Sequence, residues 1–409
     1  MTATAWIEPI LDKGVPMTDQ TTPSTRTIGV GLISVGWMGR LHSRAYRAVP
    51  DHFPELGIKT RLVVAADPMP EARAQAEERL GFERTVADYH EVLSDPEVDV
   101  VSICSPNFLH AEMAIAAAEA GKPFWIEKPM GRYASDSRRI ASAVDAAGSI
   151  TAVGFNYRNA PAIAYMKQLI EEGAIGRVTN VRGALLADYS SDALAPLTWR
   201  FERERAGSGV LGDLLSHGLD LAQHVVGRIG SVSATAETYI TERPAPGTGI
   251  VDRSAPGTGE LKPVENEDYA ALLMRFDNGA IGIMDSSRIM RGPRAEYALE
   301  VYGTKGSMRW DFQRLNELEV CLDSSSPYGY TTVYMSPGHG EFHRFQPGGG
   351  TGMGFDDLKT IEAARFLESV VTGVQVAPSV ADGLVAAQIV EAAEASIEDG
   401  RWHDVPARA

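Results

Sequence analysis

One segment near the start constrains this chain more than any other. Thr27-Ile-Gly-Val-Gly-Leu-Ile33 reads as a buried strand, followed at once by Ser34-Val-Gly-Trp-Met-Gly39 and a helix beginning near Arg40. A strand that turns through a glycine-rich loop into a helix opens a dinucleotide-binding β-α-β unit, here with serine in the first position of G-x-G-x-x-G. Gly36 lets the backbone approach a pyrophosphate, and Gly39 permits close packing of helix on strand. Free N–H groups at the helix start then face the phosphates. Ser34, Gly36, Trp37, Met38 and Gly39 are the first candidate cofactor residues. A rival register beginning Gly29-Val-Gly31 buries its glycines inside the strand and is rejected.

The pattern after this loop extends the unit. Short apolar runs at 61–66, 99–104, 123–127 and 150–155 alternate with amphipathic stretches at 69–80 and 109–120. That alternation predicts an α/β fold, with a Rossmann-type doubly wound parallel sheet over residues 27–156. A crossover helix at 159–172 leads into a different grammar of longer, hairpin-linked strands at 179–188, 232–242, 270–276, 280–286, 297–302 and 307–311. Asp277-Asn278-Gly279 is a strong hairpin turn between two of them. With helices at 356–372 and 378–398, residues 157–400 form a second α/β domain around an open, largely antiparallel sheet. Residues 1–26 read as a disordered tail, rich in Thr, Asp, Gln, Pro and Ser. Arg243 to Glu265, which carries Ala-Pro-Gly-Thr-Gly twice, reads as an extended, mobile loop.

Bulk properties exclude some partners. A length of 409 residues suits two or three domains, and a formal charge of −16 leaves no basic face for nucleic acid. No apolar run approaches the roughly 18 residues of a membrane span. Two cysteines, Cys104 and Cys321, make no disulfide framework, so the cytoplasm is the expected setting.

Three groups of residues carry the chemistry. Asp67 ends the second strand, where a carboxylate accepts ribose hydroxyls and repels a 2′-phosphate, so NAD is expected rather than NADP. Ser105, Asn107 and His110 follow the third apolar run, at the carboxyl end where ligands bind such sheets; helix capping is the alternative reading for them. Glu127-Lys128-Pro129 ends the next strand, which points Lys128 into the same cleft. Glu127 and Asn156 are also placed beside the cofactor. Farther on, Asp213, His217, Asp220 and His224 stand at i, i+4, i+7 and i+11, one face of a helix. Asp213 one turn from His217 would hold the imidazole and favour its protonated form. This face suits a buried polar network, a metal site, or a proton-transfer site beside NAD. Asn156, Tyr157 and Arg158 follow the last parallel strand and offer donors to a polyhydroxy ligand. Trp199-Arg200 adds an apolar platform and a polar partner, and Asp188 a further carboxylate.

Taken together, Ser34-Val-Gly-Trp-Met-Gly39, Asp67, Glu127-Lys128-Pro129 and Asp213-x3-His217 resemble the Gfo/Idh/MocA family, from about Thr27 to about Gly400. Departures are Ser34 at the first glycine position and the long 243–265 insertion. The resemblance implies an NAD-dependent oxidation of a secondary hydroxyl of a sugar, glycoside or inositol-like polyol, with no metal. It implies that Lys128, Asp213 and His217 carry catalysis, and that the open sheet makes a homodimer or homotetramer. An alcohol loses hydride only if its proton leaves too, and His217 is suited to take it while Lys128 positions the hydroxyl or relays the proton. The reading of another class is an NAD-binding sensor without turnover; retention of all three polar residues argues against it.

Overall fold

The computed structural model describes residues 25–246 and 256–407. Its first half is a six-stranded parallel sheet built from β1 (Arg26–Ile33), α1 (Trp37–His52), β2 (Ile58–Ala66), α2 (Pro70–Gln75), β3 (Arg84–Val86), α3 (Tyr89–Leu93), β4 (Val100–Ile103), α4 (Asn107–Glu119), β5 (Phe124–Ile126), α5 (Ala134–Ala147) and β6 (Thr151–Val153). The spatial order is β3-β2-β1-β4-β5-β6. Chain direction in the order reverses beside β1, so the loops after β1 and β4 diverge and leave a crevice at the strand ends. From Ile28 to Ile33 every residue of β1 is buried, as expected of a strand covered on both faces. Gly29 and Gly31 serve that burial: a Cβ at either would run into Glu97 or Val92.

The second half contains α6 (Pro161–Glu171), β7 (Val178–Leu186), α7 (Arg203–Ala206), α8 (Ser216–Val226), β8 (Ile229–Glu237), β9 (Glu242–Pro244), β10 (Leu261–Pro263), β11 (Tyr269–Phe276), β12 (Ile281–Ser287), β13 (Glu296–Gly303), β14 (Gly306–Asp311), β15 (Glu317–Leu322), β16 (Thr331–Tyr334), α9 (Phe355–Thr372), α10 (Val380–Asp399) and β17 (His403–Asp404). A nine-stranded sheet runs β16-β15-β14-β13-β7-β12-β11-β8-β17. It is antiparallel except where β12 lies parallel to β7. Helices α6, α8 and α10 cover one face. The opposite face leaves Leu273, Ile281 and Ile283 exposed, with Leu273 directly across from Ile283. Helix α9 returns to pack along α1, so the C-terminal part of the chain closes over the first sheet.

Several details differ from the sequence reading. Helix α1 starts at Trp37 rather than near Arg40, because Gly36 itself takes the N-cap. The stretch expected as one helix at 69–80 ends in a π-helical turn over Ala76–Leu80. Arg26 belongs to β1 and not to a tail; residues 1–24 lie outside the described residues. The 243–265 segment is not wholly an open loop either. Its ends pair as β9 and β10, and Arg243 is fully buried, while 247–255 fall outside the described residues. Strands β3, β15 and β16 and helices α3 and α5 were not foreseen. Among the described residues, no helix is long and apolar enough to cross a membrane.

Candidate active site

The loop after β1 has the form a pyrophosphate needs. Ser34 stands at φ 75°, the left-handed conformation glycine adopts at this position, and its N–H donates to the Ala66 carbonyl at 2.8 Å. Nothing lies within 4 Å of a Cβ placed on Gly36, so the loop is open there. A Cβ on Gly39 would instead strike the Ser34 carbonyl, which is the close helix–strand contact expected. The first turn of α1 has no acidic side chain, so its N–H groups and dipole remain available to an anion. Trp37 is exposed and stacks on Phe355 at 5.9 Å, tying the loop to α9. Asp67 accepts the Val35 N–H on one oxygen and the Met69 N–H on the other, both at 2.9 Å. It thus braces the phosphate loop, and each oxygen keeps a lone pair for a ribose hydroxyl. Arg73 Nη1 donates to the carbonyls of Asp67 and Pro68 at 2.7 and 3.0 Å.

Toward the other end of the crevice, buried polar atoms have no protein partner: Ser105 Oγ, Asn107 Oδ1, Asn156 Nδ2 and His217 Nδ1. Such groups are costly unless a ligand or water satisfies them. The residues present therefore fit a dinucleotide laid from the Ser34 loop toward Asn156. Among the described residues no three His, Cys, Asp or Glu side chains converge as a metal site.

Lys128, just past β5, extends its ammonium to Asp213, 2.5 Å from the carbonyl oxygen and 3.2 Å from Oδ1. Asp213 sits in a π-helical turn, Leu211–Leu215, that runs directly into α8. Its second carboxylate oxygen accepts the Tyr189 hydroxyl at 3.1 Å. Burial alone would raise this carboxyl, but the Lys128 and Arg200 charges overcome it and hold the group well below the usual carboxylate range. One turn on, His217 is buried with its ring 4.7 Å from that of Tyr157. Burial, helped by the Lys128 charge, lowers its proton affinity well below the ordinary value of 6.5.

That arrangement corrects one expectation. Asp213 does not hold His217, because the carboxylate is taken by Lys128 and Tyr189, a charged donor and a hydroxyl; its charge still favours the protonated imidazole, but burial and the Lys128 charge outweigh it. The imidazole stands neutral, a better proton acceptor at neutral pH than an imidazolium would be.

Other expected residues divide sharply. Tyr157 lies with the central group, beside His217 and in an aromatic cluster with Tyr297, Phe312 and Phe355, and Asn156 precedes it, buried with its Nδ2 unpartnered. Trp199 meets Phe108 edge-on at 5.6 Å and carries the Arg200 guanidinium over its face at 4.4 Å. Asn107 Nδ2 donates to the Ala206 carbonyl at 2.9 Å, linking the two halves of the chain. Arg158 is not free for a ligand: it binds Asp220 through two bonds of 2.8 and 2.5 Å and reaches Asp382 at 3.2 Å. The lower part of the Asp213–His224 face is thus a structural ion pair. Both His110 nitrogens are engaged by backbone carbonyls, Pro129 at 2.9 Å and Ser105 at 2.8 Å, which leaves none for ribose. Asp188 faces the Arg294 guanidinium at 3.5 Å rather than the central group.

Glu127 is also committed elsewhere, and its partners were missed. Its Oε1 lies 2.9 Å from His42 Nε2 and 2.5 Å from Lys359 Nζ, and Lys359 reaches Glu362 at 2.8 Å. His42 stacks on Trp125 at 3.4 Å and meets Ser102 Oγ at 3.0 Å. Burial lowers His42 to about 4 and pushes Glu362 up to about 8. Lys359 and His42 hold Glu127 well below its usual range against its burial. The cluster is therefore one ammonium and one carboxylate beside two neutral groups, directly behind Lys128. The one available signal was a lysine and a glutamate, Lys359 and Glu362, interleaved with the apolar residues Leu358, Ile361, Ala363 and Ala364.

Comparison with known proteins identifies both halves of the chain. Residues 28–155 match a model described as an oxidoreductase family, NAD-binding Rossmann fold, and residues 163–309 match a GFO/IDH/MocA C-terminal domain. Levoglucosan dehydrogenase of Pseudarthrobacter phenanthrenivorans is 40% identical over 93% of this chain and 99% of its own. A structure of a levoglucosan dehydrogenase with NADH and levoglucosan superposes with a TM-score of 0.88 at 39% identity, covering 93% of this chain and all (100%) of that one. Myo-inositol 2-dehydrogenase of Thermotoga maritima is 27% identical over 91% of this chain and 97% of its own. The likeness thus spans both halves of the chain, and the chain belongs to the Gfo/Idh/MocA family of NAD-binding oxidoreductases.

Proposed function

We propose that this dehydrogenase oxidises one secondary hydroxyl of a compact carbohydrate, of the anhydrosugar class to which levoglucosan belongs, to a ketone. The observation that carries the reading is the 40% identity with a levoglucosan dehydrogenase along 93% of the chain. The Lys128–Asp213–His217 group fits it chemically. Ser34 to Gly39 and Asp67 hold the dinucleotide, and Ser105, Asn107 and Asn156 offer it polar atoms. When bound, oxidised NAD supplies the acceptor for the hydride. Asp213 fixes the Lys128 ammonium through a carbonyl and a carboxylate oxygen, leaving it to donate to the substrate oxygen. Neutral His217 takes the hydroxyl proton as the C–H bond breaks, so the products are the ketone and an imidazolium. Trp199 and Tyr157 offer apolar faces to the ring, and Arg200 a donor.

The test is a panel of anhydrosugars, pyranoses, glycosides and inositols incubated with NAD and followed by NADH absorbance. Anhydrosugars should give the largest kcat/KM; preference for an inositol would move the assignment to polyols, and no turnover would favour a sensor. We further infer a homodimer or homotetramer built through the exposed Leu273–Ile283 face, read by light scattering, and a cytoplasmic setting, supported by the need for an intracellular NAD pool.

A further inference from the structure

We propose that Tyr189 is an additional substrate-contacting residue that also positions Asp213, carried on a loop held in place by the buried guanidinium of Arg243. The proposal rests on the carbohydrate reading above. Tyr189 follows β7, and the residue is 49% exposed although its hydroxyl bonds Asp213 Oδ2 at 3.1 Å. A half-exposed tyrosine beside a polar reacting group is what a sugar pocket requires, an apolar wall next to a few fixed donors.

The loop is held far more firmly than a surface connection needs. Arg243, without exposed surface, donates to the Ser190 carbonyl at 2.5 Å and the Asp192 carbonyl at 2.6 Å. Ser190 N–H donates to the Arg288 carbonyl at 2.9 Å. The guanidiniums of Arg243 and Arg288 lie 4.4 and 4.6 Å from the ring centre of Phe201, which directly follows Trp199-Arg200. Asn266 Nδ2 donates to the Arg200 carbonyl at 2.9 Å. The segment that reads in the sequence as a mobile insertion therefore begins with an anchor common to the Tyr189 and Trp199 loops. Burying a guanidinium is costly even with the Asp268 and Asp192 charges to support it, and this one is used to fix backbone.

The hydroxyl has its own consequence. With Tyr189 on Oδ2, Lys128 meets a carboxylate that has one oxygen already bonded. Without it, both oxygens compete for the ammonium, and Lys128 is drawn from the substrate toward Asp213. Ring and hydroxyl are separable by mutation. Tyr189→Phe should lower kcat about five- to tenfold, the scale of one hydrogen bond, with sugar KM within about twofold of wild type. Tyr189→Ala should lower kcat equally and raise sugar KM by about tenfold or more, as the apolar wall is lost. NADH affinity, measured by fluorescence titration, should be unchanged in both. Turnover by the wild type with both variants matching it in kcat and KM would overturn the role of Tyr189 alone. Equal KM increases in Phe and Ala variants, with kcat intact, would overturn the positioning of Asp213. A wild-type protein that binds NADH but oxidises no member of the carbohydrate panel would overturn the functional reading and this proposal with it.

Discussion

Replacing Lys359 by methionine should destabilise the protein more than any surface charge change and weaken catalysis at a distance. Lys359 is 1% exposed; its ammonium lies 2.5 Å from Glu127 and 2.8 Å from Glu362. Methionine fills nearly the same volume, so the loss is chiefly electrostatic. Glu127 would keep only neutral His42 as a partner, and removing one member of a buried pair costs about 3–5 kcal/mol. In urea with a slope near 3 kcal/mol per M, the midpoint should fall by about 1 M or more. Adding Glu127→Gln removes the stranded charge, so the double variant should recover much of the loss, a strongly non-additive cycle. Because Glu127 precedes Lys128 in the chain, the single variant should also lower kcat. A loss below about 1 kcal/mol at pH 7, or two single losses that simply add, would refute the claim that this cluster is one ion pair beside neutral groups.

Three further outcomes follow from the same geometry. Asp67→Ala should weaken NAD binding and narrow its advantage over NADP in calorimetry, since the loop loses its brace and the phosphate its repulsion; an unchanged ratio would count against Asp67 as the ribose residue. His42, lowered by burial from 6.5 to about 4, binds protons less well folded than unfolded. Its stabilisation is full above pH 6.5 and fades as pH falls toward 4, a loss of about 3 kcal/mol that urea midpoints across that window should show and His42→Asn should flatten. The acid limb of kcat should lie below 6.5, because burial and Lys128 lower His217, and Asp213→Asn should move it lower still by removing a carboxylate that raises it; a shift upward would contradict this.

What was legible in the sequence was local. The Ser34–Gly39 loop, Asp67 and Lys128 follow from spacing along a strand–turn–helix unit, and the structure places them at the strand ends that such spacing implies. The identity of each side chain's partner was not legible where that partner comes from far along the chain. Asp213 and His217 share a helix face, yet Asp213 is claimed by Lys128, 85 residues away, and by Tyr189. Arg158 looked like a ligand donor until Asp220 met it across 62 residues, and the Glu127–Lys359 contact spans 232. A buried charge is written in the sequence as a charge, and only packing shows which opposite charge permits its burial. Arg243 looked like the first residue of an open loop for the same reason. Strand β16, four residues long, carries little periodic signal, whereas the Glu-Leu-Glu-Val alternation of β15 was readable and was missed.

The most direct test compares wild type, Lys128→Ala and His217→Ala in one mixing experiment with NAD and the best carbohydrate of the panel. NADH formed in a single turnover should appear in the wild type and fall by at least about a hundredfold in each variant, the usual scale for losing a positioned proton-transfer group. NAD affinity of His217→Ala should stay near that of the wild type, because the imidazole is expected to meet substrate rather than dinucleotide. Near-normal single-turnover NADH formation by His217→Ala would show that this helix face is structural and that the proton leaves by another route.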